Sequence, residues 1–493
     1  MDYLTHLPIE LTSGILTHLA LPDLLVLLRV NKTLNQLGEQ ILYQDLELTW
    51  SCQDRNAGRL APQSSFHKLH TVLINILRRP QRSAYVQHLH IDVGKLENVW
   101  GPTGETRLSE AERELLRGGI SPASVSSPAR EAWFEGVLAG VPNAYIGLLL
   151  SQLPGIKSLF IGHPARYSHN GERWTEDLAP RVFFPYMDAD ATDPESTCPP
   201  DLERYFPLLE QFRYMPLPSY SYTRTLRAEI EAQHFLPFLN APHMKSMSLY
   251  LFTTQEIFAN VPHTSATLTE LILHKFLLDT NQLGKLLRAT PNLLVLRLDY
   301  WIDCGAAAVG EKPHLDIPHL FHVLHPVQNS LRELQLSTRF FGDGGVDDGI
   351  ADHGGDFHDA TTSWGLKGAA PSLEGFRWLQ VLEVPTAVLL GWDHSAASSV
   401  GALLPSTLLR LVLRDDLWAW KRYTWDREVL ARALQAFMGS RCRFRKELQG
   451  VTLTDSDRRM LSDGDKKALA RLELLFHGEG LNFDLARYED DKP

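Results

Sequence analysis

Cysteine is scarce in this chain. Cys52, Cys198, Cys304 and Cys442 lie far apart, with no C-x-x-C pair and no Cys/His quartet. That spacing argues against a zinc site and a disulfide-stapled scaffold, and it suits the reducing cytosol or nucleus. Long hydrophobic runs are also missing. The most apolar stretch, residues 145–162, is broken by Gln152, Pro154 and Lys157, so it cannot cross a bilayer cheaply. The amino terminus carries Asp2, Pro8 and Glu10 without a basic cap, which does not fit a secretory signal. Positive charge is in deficit too: 48 Lys and Arg against 59 Asp and Glu leave a net charge of -11. The expectation is an intracellular protein, cytoplasmic or nuclear, with no nucleic acid and no membrane among its partners.

Catalytic signatures are equally sparse. There is no G-x-S-x-G elbow, no H-E-x-x-H helix and no phosphate loop of the G-x-x-x-x-G-K-[ST] type. Gly342-Asp343-Gly344-Gly345 lacks the spacing of a dinucleotide fingerprint, and Asp188-Ala189-Asp190 sits in a proline-rich stretch expected to be a solvated turn. His353, Asp356, His358 and Asp359, with Asp347, Asp348 and Asp352 nearby, are the nearest approach to a metal set. Glycines on both sides would leave that backbone unfixed, so the expected reading is a polar loop. The expectations are therefore no catalytic residue, no metal, no cofactor and no enzymatic activity.

What the sequence does contain is apolar pattern. Of its 493 residues, 44% are hydrophobic and 22% charged, enough for a sizeable core. Pro8 and Glu10 suit the first turn of a helix whose Leu11, Ile15, Leu16 and Leu19 share one apolar face. Pro22 and Asp23 open a second helix, apolar over much of its circumference through Leu24, Leu25, Leu27 and Leu28. Asn31 is placed to cap a third carrying Leu34, Leu37, Ile41 and Leu42. Three short helices so rich in leucine cannot hide that surface among themselves and must pack on something else.

The ordered set Leu7-Pro8, Glu10-Leu11, Ile15-Leu16, Leu19, Pro22-Asp23-Leu24, Leu28, Val30 and Lys32 resembles the F-box. The segment Leu42-Tyr43-Gln44-Asp45-Leu46 is similar to the one closing that motif in many fungal F-box proteins. Gly14, which costs about 1 kcal/mol relative to alanine inside a helix, and Asn31, where a small Ser or Cys is common, depart from the pattern. The resemblance implies docking on the Skp-family adaptor, and through it a cullin, by Leu7, Pro8, Leu11, Ile15, Leu16, Leu19, Leu24, Leu28 and Val30.

Beyond a helical linker region at 51–84, which holds a helix pattern from Phe66 to Leu77, the segment Tyr85–Val93 alternates like a strand. His88 and His90 would share one face of it. A phrase of three apolar residues at spacings of three and two then recurs. It appears at Ile156, Leu159, Ile161; Leu209, Phe212, Tyr214; Met244, Met247, Leu249; and Leu268, Leu271, Leu273. It continues at Leu293, Leu296, Leu298; Leu331, Leu334, Leu336; Leu379, Leu382, Val384; and Leu408, Leu411, Leu413, with Val451 and Leu453 as a fragment. Helical stretches such as 281–289 and 317–324 lie between copies. The phrase resembles the strand of a leucine-rich repeat, although the copies are unevenly spaced. The expected fold is α/β: a three-helix F-box at 1–50, then an irregular leucine-rich-repeat-like solenoid at 85–486. Insertions are expected near 94–130, 186–200 and 341–365, and an acidic tail at 487–493.

Together the resemblances imply a non-catalytic substrate receptor of a ubiquitin ligase complex, with a protein substrate held by the repeats. Trp418, Trp420, Arg422, Tyr423 and Trp425 are candidate substrate contacts, because aromatic and arginine side chains dominate interface hot spots. Core packing with a polar edge is the reading slightly preferred for that patch. An F-box scaffold acting outside the complete ligase, and an enzyme domain fused to an F-box, remain alternatives for the whole chain.

Overall fold

A computed structural model describes residues 7–49, 61–92, 108–120, 127–140, 142–164, 206–217, 236–251, 264–276, 279–303, 315–341, 366–394, 399–416, 425, 427–439, 447–455 and 463–487. The chain divides into two compact units, Met1–Ser219 with His234–Lys245, and Tyr220–Gln233 with Ser246–Pro493. Both are mixed α/β, and their paired strands run parallel.

In the first unit, helices α1 (Ile9–Thr17), α2 (Leu21–Leu27) and α3 (Lys32–Gln44) run directly into strand β1 (Asp45–Thr49). Helix α4 (Ala61–Arg78) and a 3-10 turn (Pro80–Tyr85) lead to β2 (His88–Asp92). Helices α5 (Glu110–Gly119), α6 (Ser127–Leu138) and α7 (Pro142–Ser151) precede β3 (Ser158–Pro164) and β4 (Gln211–Leu217). The four strands pair in chain order, β1 to β2, β2 to β3 and β3 to β4. Within the insertion expected near 94–130, residues 110–119 fold as a regular helix. The cause is a capping box. The Ser109 hydroxyl accepts from the Glu112 N–H, while the Glu112 carboxylate accepts from the Ser109 N–H. The Ser109 hydroxyl, then its N–H, hold the Glu112 carboxyl below its usual range.

The second unit sets β5 (Ser246–Tyr250), β6 (Glu270–Phe276), β7 (Val295–Asp303), β9 (Glu333–Phe341), β11 (Val381–Pro385), β12 (Arg410–Arg414), β13 (Gly450–Asp455) and β14 (Asn482–Arg487) side by side in that order. Two short strands, β8 (Leu315–Asp316) and β10 (Leu366–Lys367), form a separate parallel pair. Helices at Thr280–Ala289, Ile317–Val323, Thr386–Leu390, Val400–Leu403, Arg427–Gly439 and Asp463–Gly478 fill the connections.

The recurring phrase explains both cores. In every complete copy the first residue precedes a strand and the next two lie inside it, and none is more than 3% exposed. Parallel register aligns the copies. Leu271 stands opposite both Met247 and Leu296, and Leu334 opposite both Leu296 and Leu382. Each strand thus adds a layer of apolar side chains to the layer before it, and the helices cover that face. Two further copies are less conspicuous in sequence: Val86, Leu89 and Ile91 at β2, and Leu448, which completes Val451 and Leu453. His90, on the opposite face of β2, stacks on Phe160 at 4.0 Å, while His88 is exposed.

Candidate protein-interaction surface

Helices α1–α3 build a small core of their own. Leu16, Leu24, Leu28 and Leu34 are buried against one another, with Leu19, Leu27, Leu37, Ile41 and Leu42 packed around them. Asn31 caps α3 as expected, its side-chain oxygen accepting the Leu34 N–H at 2.8 Å. Gly38 brings α3 onto α2, since a Cβ there would lie 2.0 Å from Leu28 Cδ2. Gly14 faces open space, with nothing within 4 Å of a Cβ.

The three helices are anchored to the rest of their unit by charge and by strand pairing. Arg82 Nε donates to Glu39 Oε1 at 2.7 Å, and the Arg82 guanidinium also lies over the Tyr43 ring at 5.1 Å. The Gln87 N–H donates to the Gln44 carbonyl at 3.0 Å, which starts the pairing of β1 with β2.

What this core leaves outside is the functional clue. Leu7, Ile9, Leu11, Ile15, Leu21, Leu25, Val26 and Val30 are exposed, and among the described residues only four other large hydrophobic side chains in the chain are. The pattern has a simple origin. Helices α1 and α2 each repeat side chains at a spacing of four, one line turned in and apolar lines turned out, whereas the exposed positions of α3 are polar. In α1, Thr12 and Leu16 go inward while Leu11 and Ile15 go outward; in and after α2, Leu24 and Leu28 go inward while Leu21 and Leu25, then Val26 and Val30, go outward. A concentration of exposed apolar side chains on so short a stretch is characteristic of a protein-binding surface.

The expected adaptor contacts therefore fall into two groups. Leu7, Pro8, Leu11, Ile15 and Val30 are on the outer surface. Leu16, Leu24 and Leu28 are buried and hold the helices in place, and Leu19 is half-buried beside them. Ile9, Leu21, Leu25 and Val26 are exposed as well, although the motif alone did not single them out; the spacing of four that joins Leu21 to Leu25 and Val26 to Val30 was the available signal for three of them.

The expected substrate contacts fare differently. Trp418, Trp420, Arg422 and Tyr423 lie outside the described residues, as do residues 342–365 with the His353 and Asp356 cluster and residues 488–493. Trp425, offered as a candidate substrate contact, belongs instead to the core, as the core-packing reading has it: it is 4% exposed and its indole N–H donates to the Gly391 carbonyl at 2.8 Å. Arg427 is buried with it and bonds Asp415 Oδ2 at 2.9 Å. Among the described residues no group of three His, Cys, Asp or Glu side chains is arranged to hold a metal, and no helix is long and apolar enough to cross a membrane. Compared with known proteins, the chain matches no family model and no curated protein.

Proposed function

We propose that this chain is the substrate-recognition subunit of a Skp–cullin–F-box ubiquitin ligase. The observation that carries the reading is the outward apolar line of α1 and α2, formed by residues of the F-box-like sequence and attached firmly to a parallel-strand scaffold. An adaptor would cover Leu11, Ile15, Leu21, Leu25, Val26 and Val30. The leucine-rich-repeat-like strands would present a substrate to enzymes brought in by the cullin. No side chain of this chain need take part in chemistry: holding a substrate lysine near a charged conjugating enzyme raises its effective concentration.

The test is affinity capture of the full chain beside a Leu11→Asp, Ile15→Asp variant, with mass spectrometry of what is retained. Adaptor and cullin should copurify with the wild type and be lost from the variant, while proteins retained by both become candidate substrates. Absence of adaptor from a folded wild-type chain overturns the proposal.

A further inference from the structure

Several arginines of the second unit are neutralised at close range. Arg297 pairs with Glu333 at 2.9 Å, Arg414 with Asp416 at 3.0 Å and Arg427 with Asp415 at 2.9 Å. Three exposed arginines are not. Arg332 stands immediately before β9, Arg377 lies in the turn before β11, and Arg410 is the first residue of β12. Their guanidiniums have no ion-pair or hydrogen-bond partner among the described residues. Trp378, beside Arg377, is 58% exposed, and no other Trp or Phe among the described side chains is exposed. Single exposed apolar residues need no explanation, but an exposed indole among unpaired arginines combines two of the residue types that dominate protein-binding hot spots.

The backbone gathers these four residues at one end of the sheet. The Gln380 and Val381 N–H groups donate to the Arg332 carbonyl at 2.8 and 3.0 Å. The Leu409 and Arg410 N–H groups donate in turn to the Gln380 carbonyl at 2.8 and 2.9 Å. Arg332 and Arg410 therefore stand two strand spacings apart, about 10 Å, and Arg377 and Trp378 enter β11 between them. The turn that carries the pair is fixed. Phe376 is buried, its N–H donates to the Leu373 carbonyl at 2.9 Å, and its own carbonyl accepts the Leu379 N–H at 3.2 Å. With Phe376 and Leu379 both in the core, Arg377 and Trp378 are held outward. A surface ordered before binding loses less entropy when a partner arrives.

We infer that the rim formed by Arg332, Arg377, Trp378 and Arg410 docks a partner protein through a segment that sets carboxylates beside an apolar side chain. A guanidinium offers two parallel donors that match a carboxylate, and the indole offers a large apolar face at little cost in side-chain freedom. Charges further away than about 8 Å are screened at physiological ionic strength. The three guanidiniums, and not the total of -11, therefore govern a segment lying on them. Local charge also selects protein over polynucleotide. Glu374, three residues before Arg377, is exposed, and exposed Glu447 shares an open groove with Leu409, the neighbour of Arg410. A polynucleotide carries a phosphate at every step and would bring negative charge onto these flanking carboxylates. A protein segment can place neutral or basic side chains there. This surface belongs to the second unit alone and stands whether or not the first unit binds an adaptor.

The test is to pan a phage library of random dodecapeptides on the purified full chain, and again on Arg377→Glu and Trp378→Ala variants shown to be folded by circular dichroism. Wild type should enrich peptides in which Asp or Glu lies close to an aromatic or aliphatic side chain. Synthetic copies of those peptides, labelled with fluorescein and followed by anisotropy, should bind each variant about tenfold or more weakly, the range of one charge-assisted contact or one hot-spot side chain. Panning on Arg377→Glu should move the enrichment toward Lys and Arg, a reversal that simple damage to the fold would not produce. Enrichment of no peptide, enrichment without an acidic bias, or equal affinity of wild type and both variants for the enriched peptides overturns the inference. Tighter binding of an oligothymidylate that displaces these peptides and needs the same residues overturns it in favour of a polynucleotide.

Discussion

Replacing Leu11 and Val26 with charged residues should abolish partner binding while leaving the fold intact, whereas trimming Leu16 should damage the fold itself. Leu11 is the third residue of α1 and Val26 the sixth of the seven in α2. Aspartate at the first site and lysine at the second therefore each suit the local helix dipole. The two side chains are 58% and 64% exposed. Fully burying such a side chain contributes about 1.5–3 kcal/mol, so a partner covering the exposed part gains about 1–2 kcal/mol at each. Substitution removes that gain and traps a charge at the interface, which adds at least about 1 kcal/mol per site. The Leu11→Asp, Val26→Lys double variant should lose about 4 kcal/mol or more of binding, roughly a thousandfold in Kd. Its own stability should change by no more than about 0.5 kcal/mol per site, the usual range for surface positions. Leu16, 1% exposed in the helical core, should instead cost about 2–5 kcal/mol as alanine. Hydrogen exchange of α1–α3 measures local stability, and calorimetry with a purified Skp-family adaptor measures binding. A double variant that binds like wild type, or one whose α1–α3 amides lose protection as in Leu16→Ala, would refute the division into inward and outward lines.

Other consequences are open to measurement. Gly14→Ala should stabilise α1 by up to about 1 kcal/mol, whereas Gly38→Ala should loosen α3 from α2 because its methyl meets Leu28; hydrogen exchange should show opposite signs for the two. Arg427→Met takes the guanidinium from the buried Asp415 carboxylate and should destabilise the second unit by up to about 3–5 kcal/mol in denaturant unfolding. Burial lowers the Lys275 ammonium from 10.5 to about 8, so the unfolded chain binds the extra proton between these values. Stability from this group should therefore rise as pH increases from about 8 to 10.5. The rise should be absent from Lys275→Met when melting curves of the two chains are subtracted.

The strands were the most legible feature of the sequence. Each copy of the apolar phrase is local, and burial on one side of a parallel strand leaves a period that a single sequence displays directly. The three amino-terminal helices and the Asn31 cap were legible for the same reason. The split of their leucines into core and surface was not, because an apolar residue looks the same whether a neighbouring helix or a separate partner covers it. Helix α5 was missed through its charge, although Ser109 and Glu112 carried a capping signal. Core packing, the preferred reading of the aromatic patch, holds at Trp425, but its polar partner was out of local reach: the indole N–H donates to Gly391, 34 residues earlier. The Lys275 ammonium lies by the Tyr250 and Trp301 rings, which belong to the strands on either side of its own, and only the strand register brings those side chains together.

The most direct test of the central claim is to mix the purified full chain with a purified Skp-family adaptor and measure complex formation by sedimentation velocity. The account predicts a complex of one chain with one adaptor that disappears with Leu11→Asp, Val26→Lys. A folded wild-type chain that sediments alone at adaptor concentrations well above micromolar would contradict it.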